Sequence, residues 1–116
     1  MQIPLSKKLK VLIEEFRQES NLENNREAIF AAVKLGLTVV SPEKPKALVY
    51  VPQFPAGHPS GRSQNIDFGH LNADVIKYRD AVKLHVDTRT SKTKIYIEIL
   101  CLGLETKLDK RLDVVD

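Results

Sequence analysis

The sequence predicts an α+β protein in which a unit of two helices precedes a small antiparallel β-rich unit with a C-terminal hairpin. Three features predict it: helical spacing of apolar residues over 6–36, a connector rich in proline and charge at 41–46, and alternating apolar and polar residues over 81–102. A chain of 116 residues suits one domain or two very small units. We therefore expect a two-helix unit over residues 1–40 and a β-rich unit over residues 47–116.

The first predicted helix follows a short extended segment that contains Ile3 and Leu5 two positions apart. Ser6 suits the N-cap of this helix, because a serine side chain accepts a hydrogen bond from a free backbone N–H of the first turn. The apolar residues then follow the spacing of one helical face: Leu9, Leu12, Ile13 and Phe16. We expect the helix to end near residues 20–21.

The second predicted helix follows an asparagine-rich turn at 21–25, in which Asn24 or Asn25 is the expected N-cap. Its apolar face repeats at helical spacing: Ala28, Ile29, Ala32 and Val33. Gly36 suits the position just after the helix, where glycine adopts a left-handed conformation without strain. Residues 6–36 are thus expected to form two helices joined by about four residues.

The β-rich unit is predicted from several shorter segments. Residues 47–51 read as a strand, 52–65 as a long loop, and 70–80 leave room for a short helix. Residues 81–88 and 93–102 both alternate and are joined by 89–92, which predicts an antiparallel hairpin with one buried face. After residue 103, leucines recur every four residues and suggest a short helix or a tail that orders on a partner: Leu104, Leu108 and Leu112. The sequence shows no internal repeat.

Composition indicates an ordinary globular protein, with 42% apolar and 28% charged residues. The sequence contains no apolar run of membrane-spanning length and no signal-peptide core, so no membrane association is expected. The single cysteine, Cys101, lies in an apolar run, where we expect an inert buried thiol in a reducing, cytoplasmic setting. The net charge of +3 permits nucleic-acid binding without requiring it.

No catalytic pattern stands out, and we expect no enzyme activity, metal or cofactor. The three histidines match no compact metal motif: His58, His70 and His85. Asp87 and Glu98 would face each other across the predicted hairpin, but a metal-dependent nuclease of the common pattern also needs a lysine at the position of Leu100. A small enzyme with its site in the loop 52–65 is the least favoured alternative, because His58 and Ser60 lack an identifiable partner.

Residues 2–37 combine a short strand, a helix that opens Leu5-Ser6-Lys7-Lys8-Leu9, an asparagine-rich turn and a second helix that opens Asn25-Arg26-Glu27. This third of the chain resembles the ribbon-helix-helix family of bacterial and phage DNA-binding proteins. The resemblance implies a homodimer whose two N-terminal strands pair into one antiparallel ribbon. That ribbon would lie in the major groove, with the start of each second helix at a phosphate.

The resemblance implies roles for particular residues of this chain. Gln2 would face outward from the ribbon, and Asn25 with the adjacent Arg26 would contact a phosphate. Lys7 and Lys8 would add attraction to the DNA backbone. The sequence therefore predicts a non-enzymatic regulator that binds double-stranded DNA as a dimer.

The second half of the chain leaves other functions open. Four basic residues flank the predicted hairpin and form a possible secondary basic surface, with Tyr96 nearby: Lys83, Arg89, Lys92 and Lys94. Such a surface would suit RNA or single strands, although aromatic residues make up only 6% of the chain. The alternative to a DNA-binding regulator is a small α+β interaction module, which would bind a protein partner through the C-terminal unit and have no nucleic-acid role.

Overall fold

A computed structural model describes residues 2–51 and 63–114 of the chain. Within these ranges the elements are, in order, β1 (Gln2–Pro4), α1 (Lys7–Glu19), α2 (Asn25–Leu37), β2 (Ser63–Asn65), α3 (Leu71–His85) and α4 (Lys92–Leu108). The strands β1 and β2 form an antiparallel pair in which Ile3 lies opposite Gln64. The described part of the protein is therefore mainly helical and carries one short two-stranded ribbon.

The predicted β-rich unit and its hairpin are wrong, because residues 71–85 form helix α3. The buried residues of this helix follow helical spacing: Leu71, Val75, Tyr78 and Val82. The alternation over 81–88 had suggested that Leu84 and Val86 face a core, yet they are 75% and 40% exposed. The short window of alternation thus lay within a longer helical pattern.

The second predicted hairpin strand is part of α4, the central helix. Residues 95–101 are all buried, so the helix is covered on every side along this stretch. A helix enclosed by its neighbours carries apolar residues on all faces and loses the periodicity of a surface helix. Its three alternating isoleucines then give the segment the sequence pattern of a strand, because β-branched residues are enriched in strands. The predicted strand at 47–51 is also absent.

Helix α2 packs closely against α4 through two glycines. A Cβ atom at Gly36 would overlap the carbonyl oxygen of Ile99, and one at Gly103 would overlap that of Ala32. Gly36 is therefore a buried contact residue inside α2, and the prediction that it follows the helix is wrong. The helix continues to Leu37.

Both predicted helix caps are confirmed. The Ser6 hydroxyl oxygen accepts a hydrogen bond from the backbone N–H of Leu9 at 3.0 Å, and the Asn24 side-chain oxygen accepts one from Glu27 at 3.0 Å. The buried Ser6 hydroxyl also donates to the carbonyl oxygen of Val114 at 2.5 Å. The segment after α4 is therefore held against the start of α1.

The leucine stripe expected to form a separate C-terminal helix or partner-binding tail contributes to the protein's own core. Leu104 and Leu108 belong to α4, and Leu112 lies beyond it. Leu104 and Leu112 are buried, and the half-buried Leu108 packs against the same cluster. These side chains are consequently used within the chain.

The described elements repeat the order strand, helix, helix. Helix α2 packs on α4; α1 packs on both of them, and so does α3. Exchanging β1 with β2, α1 with α3 and α2 with α4 maps the α2–α4 contact onto itself and each of the other helix contacts onto another. The helix packing is therefore approximately symmetric under this exchange, which we call the internal two-fold, although the sequence shows no repeat. In the described ranges, no helix is long and apolar enough to cross a membrane.

Candidate nucleic-acid interface

The ribbon of β1 and β2 presents two amide side chains at one end. Opposed residues of an antiparallel pair share a face, and Gln2 lies opposite Asn65. Both are exposed, whereas Ile3 between Gln2 and Pro4 is only 1% exposed and belongs to the core. The outward position predicted for Gln2 agrees with its exposure, and Asn65 is a second amide that the sequence reasoning missed.

An open groove of about 360 Å³ joins the ribbon to the start of α2. Asn24, Asn25, Arg26 and Gln64 line it. The first-turn N–H groups of a helix lack partners within the helix and form the positive end of its dipole. The structure thus places the predicted residues Asn25 and Arg26 beside the ribbon, together with Asn24 and Gln64, which were not predicted. The pairing of distant segments brought Gln64 there, and no local signal reveals it.

Lys7 and Lys8 occupy the first turn of α1, three to four residues after the end of β1, and both are exposed. The Lys8 ammonium group lies 2.8 Å from a carboxylate oxygen of Asp113. With side chains 50% and 73% exposed, this pair is well solvated and contributes little to stability. The first turn of α1 contains no acidic residue.

The possible secondary basic surface lies at the junction of α3 and α4, and not on a hairpin. Its members run from the last turn of α3 to the first turn of α4, which also lacks an acidic residue: Lys83, Arg89, Lys92 and Lys94. Asp87 lies among them, and a hydrogen bond from the backbone N–H of Arg89 lowers the pKa of its carboxyl group. The junction is therefore a cluster of cations around one carboxylate.

Tyr96 is not a stacking platform for bases. It is fully buried in α4, its ring packs against Phe68, and its hydroxyl donates to Asn72 at 2.7 Å. Burial raises the pKa of Tyr96 to about 12. The junction accordingly offers charge without an exposed aromatic face from this residue, which disfavours the single-strand interpretation.

Lysines in the first turns of α1 and α4 favour an anion there, and at α1 the carboxylate of Asp113 already lies beside Lys8. A cation is unfavourable near the positive end of a helix dipole, where acidic residues are usually preferred. Positive side chains there add to the field of the free N–H groups. Such helix starts attract phosphates and carboxylates.

A buried cluster of polar side chains includes Glu98 and Glu105 of α4. The Glu98 carboxylate accepts hydrogen bonds from the N–H groups of Val49 and Tyr50, both at 2.8 Å, and the Tyr50 hydroxyl donates to Glu105. Cys101 is fully buried, as predicted, and burial raises the pKa of its thiol well above the ordinary value. Among the described side chains, every buried polar atom has a partner. We interpret the cluster as structural.

The remaining candidate residues are not assembled into a reactive site by the described part of the chain. Glu98 is buried against residues 49–50, whereas Asp87 lies in the α3–α4 connection. His70 precedes α3 and its ring contacts Phe30, and His85 ends that helix. His58 and Ser60, with the rest of 52–62, lie outside the described residues. Within the described ranges, no three His, Cys, Asp or Glu residues are grouped to hold a metal.

Comparison of the chain with protein-family models, curated proteins and solved structures found no match. The interpretation of its function therefore rests on the geometry of the ribbon and of the helix starts around it.

Proposed function

We propose that the chain is a regulator that binds double-stranded DNA by placing the β1–β2 ribbon in the major groove. The observation that carries this proposal is the antiparallel pairing of two strands, each followed by two helices, within one chain. A two-stranded ribbon fits the width of the major groove, and glutamine and asparagine side chains pair with adenine there. Gln2 and Asn65 are the residues that face the bases.

This architecture supports a ribbon-helix-helix resemblance that extends beyond residues 2–37 to the segment from β2 to α4. In that family two copies each supply one strand; here β1 and β2 come from the same chain. The segment from β2 to α4 then takes the role of the second copy. One chain supplies both strands, so the ribbon does not require the homodimer that the sequence predicts, and that dimer stays a prediction.

The phosphate contacts in this proposal come from the two helix starts. Asn25 and Arg26 begin α2 and line the groove beside Gln64. The start of α4 is its counterpart under the internal two-fold, and it carries Lys92 and Lys94. Phosphate contacts position a protein on DNA, while base contacts select the sequence. The helix starts therefore supply affinity and the ribbon supplies selectivity.

Titration of the purified protein with mixed-sequence duplex DNA at low and moderate salt tests this proposal. Arg26→Gln and Lys94→Gln each remove one cation from a helix start. Lys34→Gln and Lys107→Gln are matched controls, because they remove one cation from the last turns of the same two helices. Each helix-start variant should reduce the dependence of log affinity on log salt by about one unit. The controls should leave that slope unchanged.

Two results would contradict the proposal. The protein would fail to bind duplex DNA even at low salt, or all four variants would weaken binding equally, which would indicate attraction by net charge alone. Failure to bind would favour the protein-interaction alternative. The exposed Leu84 and Val86 at the end of α3 would then be the first residues to replace in a search for a partner.

A further inference from the structure

The two ends of the ribbon differ in chemistry, and we infer that one chain binds a non-palindromic duplex site in a single orientation. This inference rests on the proposed DNA-binding function and concerns the kind of site that is recognised. A symmetric dimer presents the same side chains at both ends of its ribbon, and its sites are correspondingly palindromic. A single chain with two different strands has no such constraint.

The strand register shows how the ends differ. Gln2 pairs with Asn65, Ile3 with Gln64, and Pro4 with Ser63. A two-fold that exchanges the strands passes through the middle pair, so it exchanges Gln2 with Ser63 and Pro4 with Asn65. Neither exchange preserves the residue type. The arrangement of the helices is thus approximately symmetric, whereas the side chains of the ribbon are not.

Base recognition is concentrated at the end that carries Gln2 and Asn65. The side chains of an opposed pair lie about 5 Å apart at Cβ, so these two amides reach the same or neighbouring base pairs. Amide side chains donate to and accept from adenine at the same time, which distinguishes it from other bases. At the other end, Pro4 has no side-chain donor or acceptor, and serine, the residue type at position 63, makes no bidentate pair with adenine. The site should therefore have adenines at one end only.

The helix starts strengthen this polarity. The first turn of α2 contains Arg26 and the acidic Glu27, whereas the first turn of α4 contains Lys92 and Lys94 and no acid. Phosphates on the α4 side are consequently attracted more strongly than those on the α2 side. The helix starts thus differ in charge, and the two ends of the ribbon differ in their capacity to recognise bases.

Selection from a library of duplexes with a randomised centre, followed by directed cleavage, tests the orientation. Glu23 and Thr88 are exposed residues just before α2 and α4. Glu23→Cys and Thr88→Cys each provide a site for a DNA-cleaving iron chelate, because the native Cys101 is fully buried. We expect selected sites without palindromic symmetry, one chain per duplex, and cleavage on one side with Glu23→Cys and on the other with Thr88→Cys.

Substitutions of Gln2 and Asn65 test which end of the DNA site these two side chains recognise. Gln2→Ala and Asn65→Ala should each reduce the preference for adenine about tenfold or more, and both should do so at the same end of the site. Circular dichroism of both variants checks that they are folded. A loss of preference at opposite ends of the site would overturn the inference.

The outcomes separate this inference from the proposed function. Palindromic selected sites, two chains per duplex, or equal cleavage on both sides would overturn the single orientation while leaving DNA binding intact. If no duplex in the library is retained even at low salt, the proposed function fails and the inference fails with it.

Discussion

At the scale of single residues, Glu98 shows how a side chain gains a role that its local sequence does not reveal. It is 3% exposed, and it accepts hydrogen bonds from the backbone N–H groups of Val49 and Tyr50. Burial raises the pKa of Glu98, although these bonds act in the opposite direction. The carboxylate thus anchors the segment that follows α2 to the central helix, at the cost of burying its charge.

This arrangement predicts a pH dependence of stability that Glu98→Gln should remove. The folded pKa is raised above the ordinary value of 4.5, so the contribution of Glu98 is fully present below that value and declines as pH rises through the folded pKa. Urea unfolding of both proteins from below pH 4.5 to neutrality measures it. As pH rises over this range, the free energy of unfolding of the unaltered protein should fall relative to that of the variant.

The comparison of the two proteins cancels the other carboxylates, such as Glu14 and Asp87, whose lowered pKa values favour stability at higher pH. A difference between the proteins that stays constant over the pH range would contradict the raised pKa. The variant has an amide in place of one accepting oxygen, so a constant loss of stability is expected in addition.

Residue-scale features that depend on neighbours in sequence were predictable. Ser6 is predictable as a helix cap, and Asn24 as one of two candidates with Asn25, because a cap bonds within three residues of itself. The burial of Cys101 followed from its apolar surroundings. The second bond of Ser6, to Val114, joins opposite ends of the chain and has no local signal.

At the scale of elements, surface helices and the central helix differ in how much of their structure the sequence reveals. Each of α1 and α2 has one buried face, so its apolar residues recur at helical spacing. Helix α4 is buried along 95–101 on every side, and its pattern has no preferred period. An apolar run of this kind is compatible with a buried strand or a buried helix, and only its neighbours decide between them.

The crossing of α2 and α4 predicts a large loss of stability on Gly103→Ala. The added Cβ would overlap the backbone of Ala32, which cannot move as a flexible side chain would. We expect a loss of about 3 kcal/mol or more in the free energy of unfolding, measured with urea.

Gly69→Ala is the control for this prediction. Gly69 has a φ of +53° but no atom within 4 Å of an added Cβ. Its substitution should cost only the strain of the left-handed conformation, about 1 kcal/mol. Equal losses from the two variants would contradict a close backbone contact at Gly103.

At the scale of the whole molecule, the two halves are interlocked. The strand β1 pairs with β2, α2 packs on α4, and residues 113–114 lie against the start of α1. These contacts cross the division between residues 1–40 and 47–116 that the sequence predicts. Much of the apolar surface of each half is therefore covered by the other half.

Interlocked halves predict that fragments 1–46 and 47–116 are unfolded when separate and fold when mixed. Each fragment alone would expose the apolar face that it buries in the full chain, and fragments of this size have little other core. Circular dichroism of each fragment and of the equimolar mixture measures the gain of helix. A fragment that shows the full cooperative unfolding transition by itself would contradict this prediction.

The sequence by itself determined the two N-terminal helices and their caps, because these depend on spacing and hydrogen bonds among near neighbours. Only the tertiary structure decided that α3 continues to His85 and that residues 92–108 form a helix. It also decided that Asn65 lies opposite Gln2 and that Asn25 and Arg26 lie beside Gln64. The physical reason is burial from several sides for α4, and the distance along the chain between contacting residues for the ribbon. A central helix is specified by what surrounds it, and a ribbon made of strands some sixty residues apart is specified by the packing of the helices between them.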